Sequence, residues 1–185
     1  DRAMRQRNHL LKARSAATIE SWEYEMANSA AYIIKERASV VKTLAGKGSV
    51  HYSEISGGKE VLDLCYKPSG MGDKQPVDGV KIRDLFRDQF KRHRIKEMEL
   101  GTTLTGPHKD DFLITLDGKD ARAFASEGQQ RTCIVALRLA EWCRLKDSAF
   151  ETPLMLVDDI ALSLDSSRRE HLLHYLEKLG QVFIS

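Results

Sequence analysis

The sequence predicts an α/β protein, α+β overall, in which a helix-rich first part with a small antiparallel sheet precedes alternating helices and strands. Three observations predict this class. Apolar residues recur at helical spacing between residues 22 and 44. Side chains alternate with a period of two over residues 61–66, which is typical of a strand. The apolar run from Leu154 to Val157 predicts a strand that is buried on both faces, as in parallel sheets.

The first part, residues 1–96, is predicted to form a separate domain. Its expected elements are, in order, a basic helix over 2–14, a long helix over 22–44, strands around 50–67, a loop rich in proline and glycine at 68–79 and a basic helix over 80–95. Glycine commonly ends a helix, so the long helix is expected to stop at Gly46 and Gly48. The segment ISGGK at 55–59 is interpreted as a turn into a strand, because alternation and then a proline follow it.

The second part, residues 97–185, is predicted to alternate strands and helices. A hairpin is expected around Asp117-Gly118, since that dipeptide favours a tight turn between strands. The other expected elements are a helix after Ser126, a strand at 153–157, a helix over 166–179 capped by Asp165 or Ser166, and a final strand over 181–185.

Two acidic residues, Asp158 and Asp159, directly follow the apolar run. Ligands of open α/β sheets bind at the carboxyl ends of the strands. Two charges there are costly unless a cation or a reacting water uses them, so the pair is a candidate metal and catalytic site. The alternative is a core strand that ends in a solvated acidic turn.

A small polar turn, which contains Ser126, Gly128 and Gln129, precedes a strongly helical stretch. A helix that begins in this way presents unpaired N–H groups and the positive end of its dipole, which suit a phosphate. The alternative is an ordinary cap by Ser126, in which Gln129 completes a capping box.

Three motifs carry a resemblance to a known family. They are GPHKDD at 106–111, ARAFASEGQQRT at 121–132 and LMLVDDIALSLD at 154–165. The second and third resemble the signature motif and the Walker B strand of ABC-type ATPases. The order of the three motifs resembles that of the RecF family, which are SMC-like ATPases of bacterial DNA replication and repair. The segments MRQRNHLLK at 4–12 and ISGGKEVLDLCY at 55–66 also resemble sequences of this family. The resemblance implies that residues 97–185 form the C-terminal part of an ABC-type ATPase lobe and that residues 1–96 form an inserted arm.

The resemblance also implies roles for individual residues. The ATP-binding residues would be Ser126, Glu127, Gly128, Gln129 and Asp165. Ser126 would face the γ-phosphate of an ATP that the other protomer of a homodimer holds. Asp158 would hold Mg²⁺, and Asp159 would stand where many such ATPases polarise the attacking water. ATP would join the protomers on gapped or junction DNA, in support of recombinase loading and the SOS response, with recombination mediator proteins as partners.

Two features depart from the family's pattern. Leu162 stands where a small polar residue usually precedes the last acid of the motif. No G-x-x-x-x-G-K-[ST] P-loop occurs in these 185 residues, because no GK pair has both the upstream glycine and the downstream hydroxyl. The chain therefore resembles the C-terminal portion of the family's proteins, and these residues alone are expected not to hydrolyse ATP.

Composition excludes several classes of protein. A hydrophobic share of 42% and a charged share of 30% predict a globular domain and not a disordered chain. No apolar stretch approaches the ~20 residues needed to cross a membrane. Three cysteines without metal-ligand spacing predict reduced thiols and a cytoplasmic protein. The net charge is only +2, so any contact with nucleic acid must come from local patches.

The helix over 80–95 is the best candidate for such a patch, because its apolar residues fall on one face and leave the other face basic. The candidate DNA-binding residues are Arg83, Arg87, Lys91, Arg92 and Arg94. The alternative is a solvated helix surface, which is favoured for the basic stretch at 2–14.

Two other functions stay open at the level of sequence. His108, Asp110 and Asp111, together with the acidic pair at 158–159, could serve a metal-dependent nuclease or phosphohydrolase. A turn before a strand explains the GPHKDD segment equally well, and that interpretation is favoured. The first part could also be a docking surface for DNA or protein without chemistry of its own.

Overall fold

The computed structural model describes residues 2–72, 78–149, 151–158 and 164–184. Its elements are α1 (Arg2–Lys12), α2 (Ile19–Ser56), β1 (Leu62–Lys67), α3 (Gly79–Leu100), a 3-10 turn (Pro107–Lys109), β2 (Asp111–Leu116), β3 (Lys119–Asp120), α4 (Ala121–Phe124), α5 (Glu127–Ser148), β4 (Met155–Val157), α6 (Ser166–Leu176) and β5 (Val182–Ile184). The predicted α+β class is confirmed. No helix in the described ranges combines the length and the apolar character needed to span a bilayer.

The chain divides into two compact units. Unit 1 contains Asp1–Ser39 and Tyr66–Phe112, and unit 2 contains Val40–Cys65 and Leu113–Ser185. The division into an arm over 1–96 and part of an ATPase lobe over 97–185 stays a prediction.

Unit 1 is built from α1, the first half of α2, and α3. Its buried apolar residues are Leu11, Ile19, Met26, Ala27, Ala30, Ile34, Met71, Ile82, Phe86 and Phe90. α3 begins after Asp78, whose side chain accepts a hydrogen bond from the Val80 N–H at 2.9 Å. It ends at Gly101, which adopts a left-handed conformation with φ of 67° and donates its N–H to the Glu97 carbonyl.

The predicted end of the long helix and the predicted strand before residue 62 are wrong. α2 runs on through Gly46 and Gly48 to Ser56. Gly48 packs closely on α5, since a Cβ there would lie 3.0 Å from Leu137 Cδ2. The helix stops where Gly57 and the residue after it take positive φ values of 69° and 73°. Residues 57–59 therefore belong to a turn into β1, as predicted, whereas the first two residues of the predicted turn are the last two of α2.

Unit 2 contains most residues of the strands, which form two sheets. β1, β2 and β3 form a three-stranded sheet with β2 in the middle. The predicted hairpin is confirmed: β2 pairs antiparallel with β3, with Leu116 opposite Lys119. Its turn consists of Asp117 and Gly118, with φ values of 49° and 76°. β4 and β5 form a parallel two-stranded sheet with Leu156 opposite Phe183.

The prediction that β4 is buried on both faces is wrong. Val157 packs with residues of α5 and α6, whereas Leu154 before the strand is 61% exposed and Leu156 within it is 78% exposed. The reason is that, within the described ranges, β4 pairs with β5 alone, and its sheet has a helical layer on one face only. The predicted helix α6, its cap and the final strand are confirmed.

Candidate functional site

The Ser126 turn, residues 126–129, begins α5 as a capping box. Ser126 Oγ accepts the Gln129 N–H at 3.3 Å, and Gln129 Oε1 accepts the Ser126 N–H at 2.7 Å. The ordinary cap that the sequence allowed is therefore confirmed. Ser126 and Glu127 are exposed, and a Cβ on Gly128 would meet nothing within 4 Å. The first-turn N–H groups of a helix have no partner within it, so an exposed turn of this kind can receive an anion. A phosphate site there stays a prediction.

The Ser126 turn lies beside a polar cluster around Arg168, whose side chain is only 13% exposed. Arg168 Nη2 donates to both carboxylate oxygens of Glu60, at 3.0 and 3.1 Å. Its Nη1 donates to Thr132 Oγ1 at 3.1 Å and to the Tyr52 hydroxyl at 3.5 Å. Its Nε lies 3.3 Å from Asp165 Oδ2. These five residues are called the Arg168 cluster below; Nη1 and Nη2 both donate hydrogen bonds within it, and Nε lies within ion-pair distance of Asp165.

Two hydrogen bonds join the Arg168 cluster to the Ser126 turn. Gln129 Nε2 donates to Glu60 Oε1 at 2.7 Å, and the same Gln129 side chain caps the Ser126 N–H. Thr132 Oγ1 donates to the Gly128 carbonyl at 2.7 Å. The turn is therefore tied to Arg168 by two separate routes.

Glu60 is ionised in this arrangement. Burial raises the pKa of Glu60, but hydrogen bonds from Gln129 and Tyr52 and the positive charge of Arg168 outweigh burial, so the pKa lies below its ordinary value. Sequence reasoning missed both Glu60 and Arg168 as site residues. No local pattern could have paired them, because 108 positions separate them in the chain.

Asp165 caps α6 and is exposed. Its Oδ1 accepts the Arg168 N–H at 2.9 Å. This hydrogen bond and the charge of the Arg168 guanidinium lower the pKa of Asp165 below its ordinary value. Two predicted parts of the site are therefore connected to the same arginine: Asp165 directly, and the Ser126 turn through Glu60 and Thr132.

Asp158 follows β4 directly and is exposed, so it stands at the carboxyl end of a strand as predicted. Asp159 and Leu162 lie outside the described residues. Within the described ranges no group of three or more His, Cys, Asp or Glu side chains is placed to hold a metal. Asp158 alone can supply one carboxylate ligand to Mg²⁺. The ion often has only one or two protein carboxylates, and phosphate and water oxygens supply its other ligands.

The GPHKDD segment forms the 3-10 turn and enters β2, which confirms the favoured turn interpretation. The Asp110 side chain is 3% exposed and accepts hydrogen bonds from Arg37 Nη1 at 2.8 Å, from the Ser69 N–H at 2.9 Å and from the Tyr66 hydroxyl. His108 Nε2 lies 3.3 Å from the Thr103 carbonyl oxygen. The carboxylate of Asp110 is thus used within unit 1, which speaks against a nuclease centre on this segment.

The predicted DNA-binding arginines of α3 differ in their surroundings. Arg94 Nη2 donates to Glu23 Oε2 at 2.5 Å, and Arg94 Nη1 lies 3.6 Å from Glu20 Oε1. Arg83 Nε lies 3.8 Å from Asp84 Oδ1. The nearly buried carboxylate of Glu23 offsets much of the charge of Arg94, whereas the exposed Asp84 offsets little of the charge of Arg83.

The outer side of α3 keeps its charge available. Arg87 is exposed, and its guanidinium lies 5.9 Å from the centre of the Tyr24 ring. The basic face of α3 is defined by four other exposed side chains, Lys81, Lys91, Arg92 and Lys96. Lys81 and Lys96 belong to the same basic stretch of sequence as the five predicted DNA-binding residues.

Comparisons with known proteins give a consistent result. The DNA replication and repair protein RecF of Protochlamydia amoebophila is 43% identical over all 185 residues of this chain, which cover 51% of that protein. RecF of Rippkaea orientalis is 33% identical over 98% of this chain and 51% of its own length. A solved structure of the recombination mediator protein RecF with ATP, in the RecFOR pathway, matches the whole of this chain with a TM-score of 0.84 and 29% sequence identity. The match covers 50% of the chain in that structure. No family model matches. The chain spans about half the length of the curated relatives it matches.

Proposed function

Because this chain is homologous over its whole length to members of the RecF family, we propose that it serves in an ATP-dependent DNA-binding protein of replication and recombinational repair. The observation that carries this proposal is the match over all 185 residues of this chain, which include the Ser126 turn, Asp158 and Asp165. The resemblance further suggests gapped or junction DNA as the substrate, recombination mediator proteins as partners, and roles in recombinase loading and the SOS response.

ATP is proposed to bind between two protomers. The Ser126 turn supplies the first-turn N–H groups and the positive end of α5 to the γ-phosphate, while the phosphate loop belongs to the other protomer. The open space in front of Gly128 supports this role, since a phosphate can approach the backbone closely there. Glu127, Gln129 and Asp165 are proposed to flank the nucleotide.

Mg²⁺ is proposed to bind at Asp158. A carboxylate at the end of a strand, together with phosphate oxygens and water, gives the oxygen ligands that Mg²⁺ prefers. When bound, the ion neutralises charge on the phosphates. Asp159 is proposed to orient the attacking water.

DNA is proposed to bind on α3. Arg87, Lys91 and Arg92 are the most suitable of the five predicted residues, because their side chains are exposed. Arg83 and Arg94 are proposed to act less directly, since each has an acidic partner. Binding to phosphates releases counterions, so the affinity falls as salt rises.

Sedimentation of the intact protein, meaning this chain with any sequence that adjoins it, tests the proposal. We expect dimers with Mg·ATP and monomers without nucleotide. Gly128→Glu should stay monomeric with ATP, because its carboxylate repels the phosphate, while the helix tolerates an acid in its first turn. Gly46→Glu is a matched control, since a Cβ on Gly46 also meets nothing within 4 Å. A wild-type protein that stays monomeric with ATP, or a Gly128→Glu variant that dimerises normally, would refute the proposal.

A further inference from the structure

Arg168 links the two parts of the candidate site that the sequence singled out separately. It contacts Asp165 directly, and it reaches the Ser126 turn through Glu60 and Thr132. No other side chain in the described ranges is shown in contact with both Thr132 and Asp165. We infer that Arg168, held by Glu60, is a positioning residue that fixes the Ser126 turn and Asp165 relative to each other.

The geometry of the guanidinium supports this inference. A planar guanidinium with five N–H donors can hold several acceptors in fixed directions at once. Arg168 divides its contacts by nitrogen: Nη2 alone donates to both carboxylate oxygens of Glu60, Nη1 donates to Thr132 and Tyr52, and Nε lies 3.3 Å from Asp165 Oδ2. A lysine has one nitrogen and cannot hold these directions at once. The identity of the residue, and not only its charge, is therefore required.

The burial of the cluster adds rigidity. Tyr52 and Thr132 are fully buried, and Glu60 is 15% exposed. Ion pairs that are mostly removed from water are screened less than exposed ones, and their geometry is better defined. In contrast, Ser126, Glu127 and Asp165 are exposed. The buried residues of the Arg168 cluster thus hold the Ser126 turn and Asp165 in place, and both of these can contact a ligand.

The consequence for function depends on the proposed function. If the Ser126 turn receives a phosphate held by another protomer, its position decides whether the dimer closes, while ATP binding to the other protomer's phosphate loop does not depend on it. Misplacement of a group that orients a reaction can reduce its rate by about 100-fold. Loss of the cluster should therefore reduce dimerisation and turnover and leave nucleotide binding nearly unchanged.

Two isosteric or near-isosteric variants of the intact protein test the inference. Glu60→Gln keeps the shape but loses the charge, and Arg168→Lys keeps the charge but loses the fork. In each we expect ATP turnover and ATP-dependent dimerisation to fall at least about tenfold, while the Kd for a fluorescent ATP analogue stays within about twofold. Arg138→Lys is the control, because Arg138 pairs with Glu141 at the exposed surface of α5.

A measurement without nucleotide separates the inference from the proposed function. In the 185-residue chain, Glu60→Gln should speed hydrogen exchange of the Ser126 and Gln129 amides at least about tenfold and leave amides in the middle of α5 unchanged. If exchange is faster in Glu60→Gln but the wild-type protein never dimerises with ATP, the proposed function is wrong and the positioning role of Arg168 is supported. Unchanged exchange, or turnover in both variants equal to wild type, would overturn the inference. A drop in nucleotide binding equal to the drop in turnover would also overturn it, since it would indicate general damage to the fold.

Discussion

Units 1 and 2 each contain a buried or nearly buried arginine with carboxylate partners, and the two clusters serve different ends. In unit 1, Arg7 is 0% exposed and donates to Glu97 at 2.6 Å, to Glu23 at 3.0 Å and to Thr103 at 2.9 Å. It also lies 4.7 Å from the centre of the Phe90 ring. These groups, the Arg7 cluster, are all buried, so the cluster joins α1, α2 and α3 and presents nothing to a ligand.

The Arg168 cluster of unit 2 uses the same chemistry at the edge of the core. Its inner members are buried, but it ends in the exposed Ser126 turn and in Asp165. The comparison teaches that ion pairing alone does not identify a site. A cluster that is joined to exposed residues can position a ligand site, whereas a cluster that is buried throughout stabilises the fold alone.

Removal of the charge of Arg7 is expected to have the largest effect on stability. In Arg7→Met, Glu97 stays buried without its cation, and breaking such a pair costs about 3–5 kcal/mol. Urea denaturation, followed by circular dichroism, measures the loss. Arg2→Met is the matched control on the exposed side of α1 and should change stability by less than about 0.5 kcal/mol. Equal stability of both variants would remove the distinction between the two clusters.

Glu60→Gln is expected to have a smaller effect, which depends on pH. It leaves charge-assisted hydrogen bonds unmade, at a cost of about 1–3 kcal/mol at neutral pH. Because the pKa of Glu60 is lower in the folded state than its ordinary value of 4.5, its charge stabilises the fold above that value. The stabilisation is lost as pH falls through the folded-state pKa. The stability difference between wild type and variant should therefore shrink below about pH 4.5. A difference that is constant from pH 7 to pH 3 would contradict the charge argument.

Ser126→Ala tests the Ser126 turn, to which the Arg168 cluster is joined. It removes the cap from the Gln129 N–H and should cost about 1 kcal/mol, without any dependence on salt. Ser126→Asp is the control, since aspartate caps helices as well as serine does. A loss as large as that of Arg7→Met would mean that the turn belongs to the core and not to a site.

Lys91→Ala should have the smallest effect on stability, within about 0.5 kcal/mol, because Lys91 is exposed on α3. Its effect should appear in DNA binding instead: the slope of log affinity against log salt should fall by about 1. Arg94→Ala is the contrasting variant, which should lose stability through Glu23 and change the slope less. If only Arg94→Ala changed the slope, the proposed surface on α3 would be wrong.

Features that depend on neighbouring residues could be predicted from the sequence. The hairpin at Asp117-Gly118, the cap of α6 by Asp165 and the capping box at Ser126 all follow from contacts within three residues. The course of α2 could not be predicted, because Gly48 is explained by its packing on the distant Leu137. The ion pair between Glu60 and Arg168 could not be predicted either, because the two residues are far apart in the sequence.

The central claim is that the Ser126 turn and Asp158 serve the same nucleotide from different protomers. A mixing experiment on the intact protein tests it with Gly128→Glu and Asp158→Asn, each expected to be nearly inactive alone. Each mixed dimer has one unaltered site, whereas a pair of identical variants has none, so ATP turnover of a 1:1 mixture should rise well above that of either variant alone. A mixture no more active than its two components would contradict the claim.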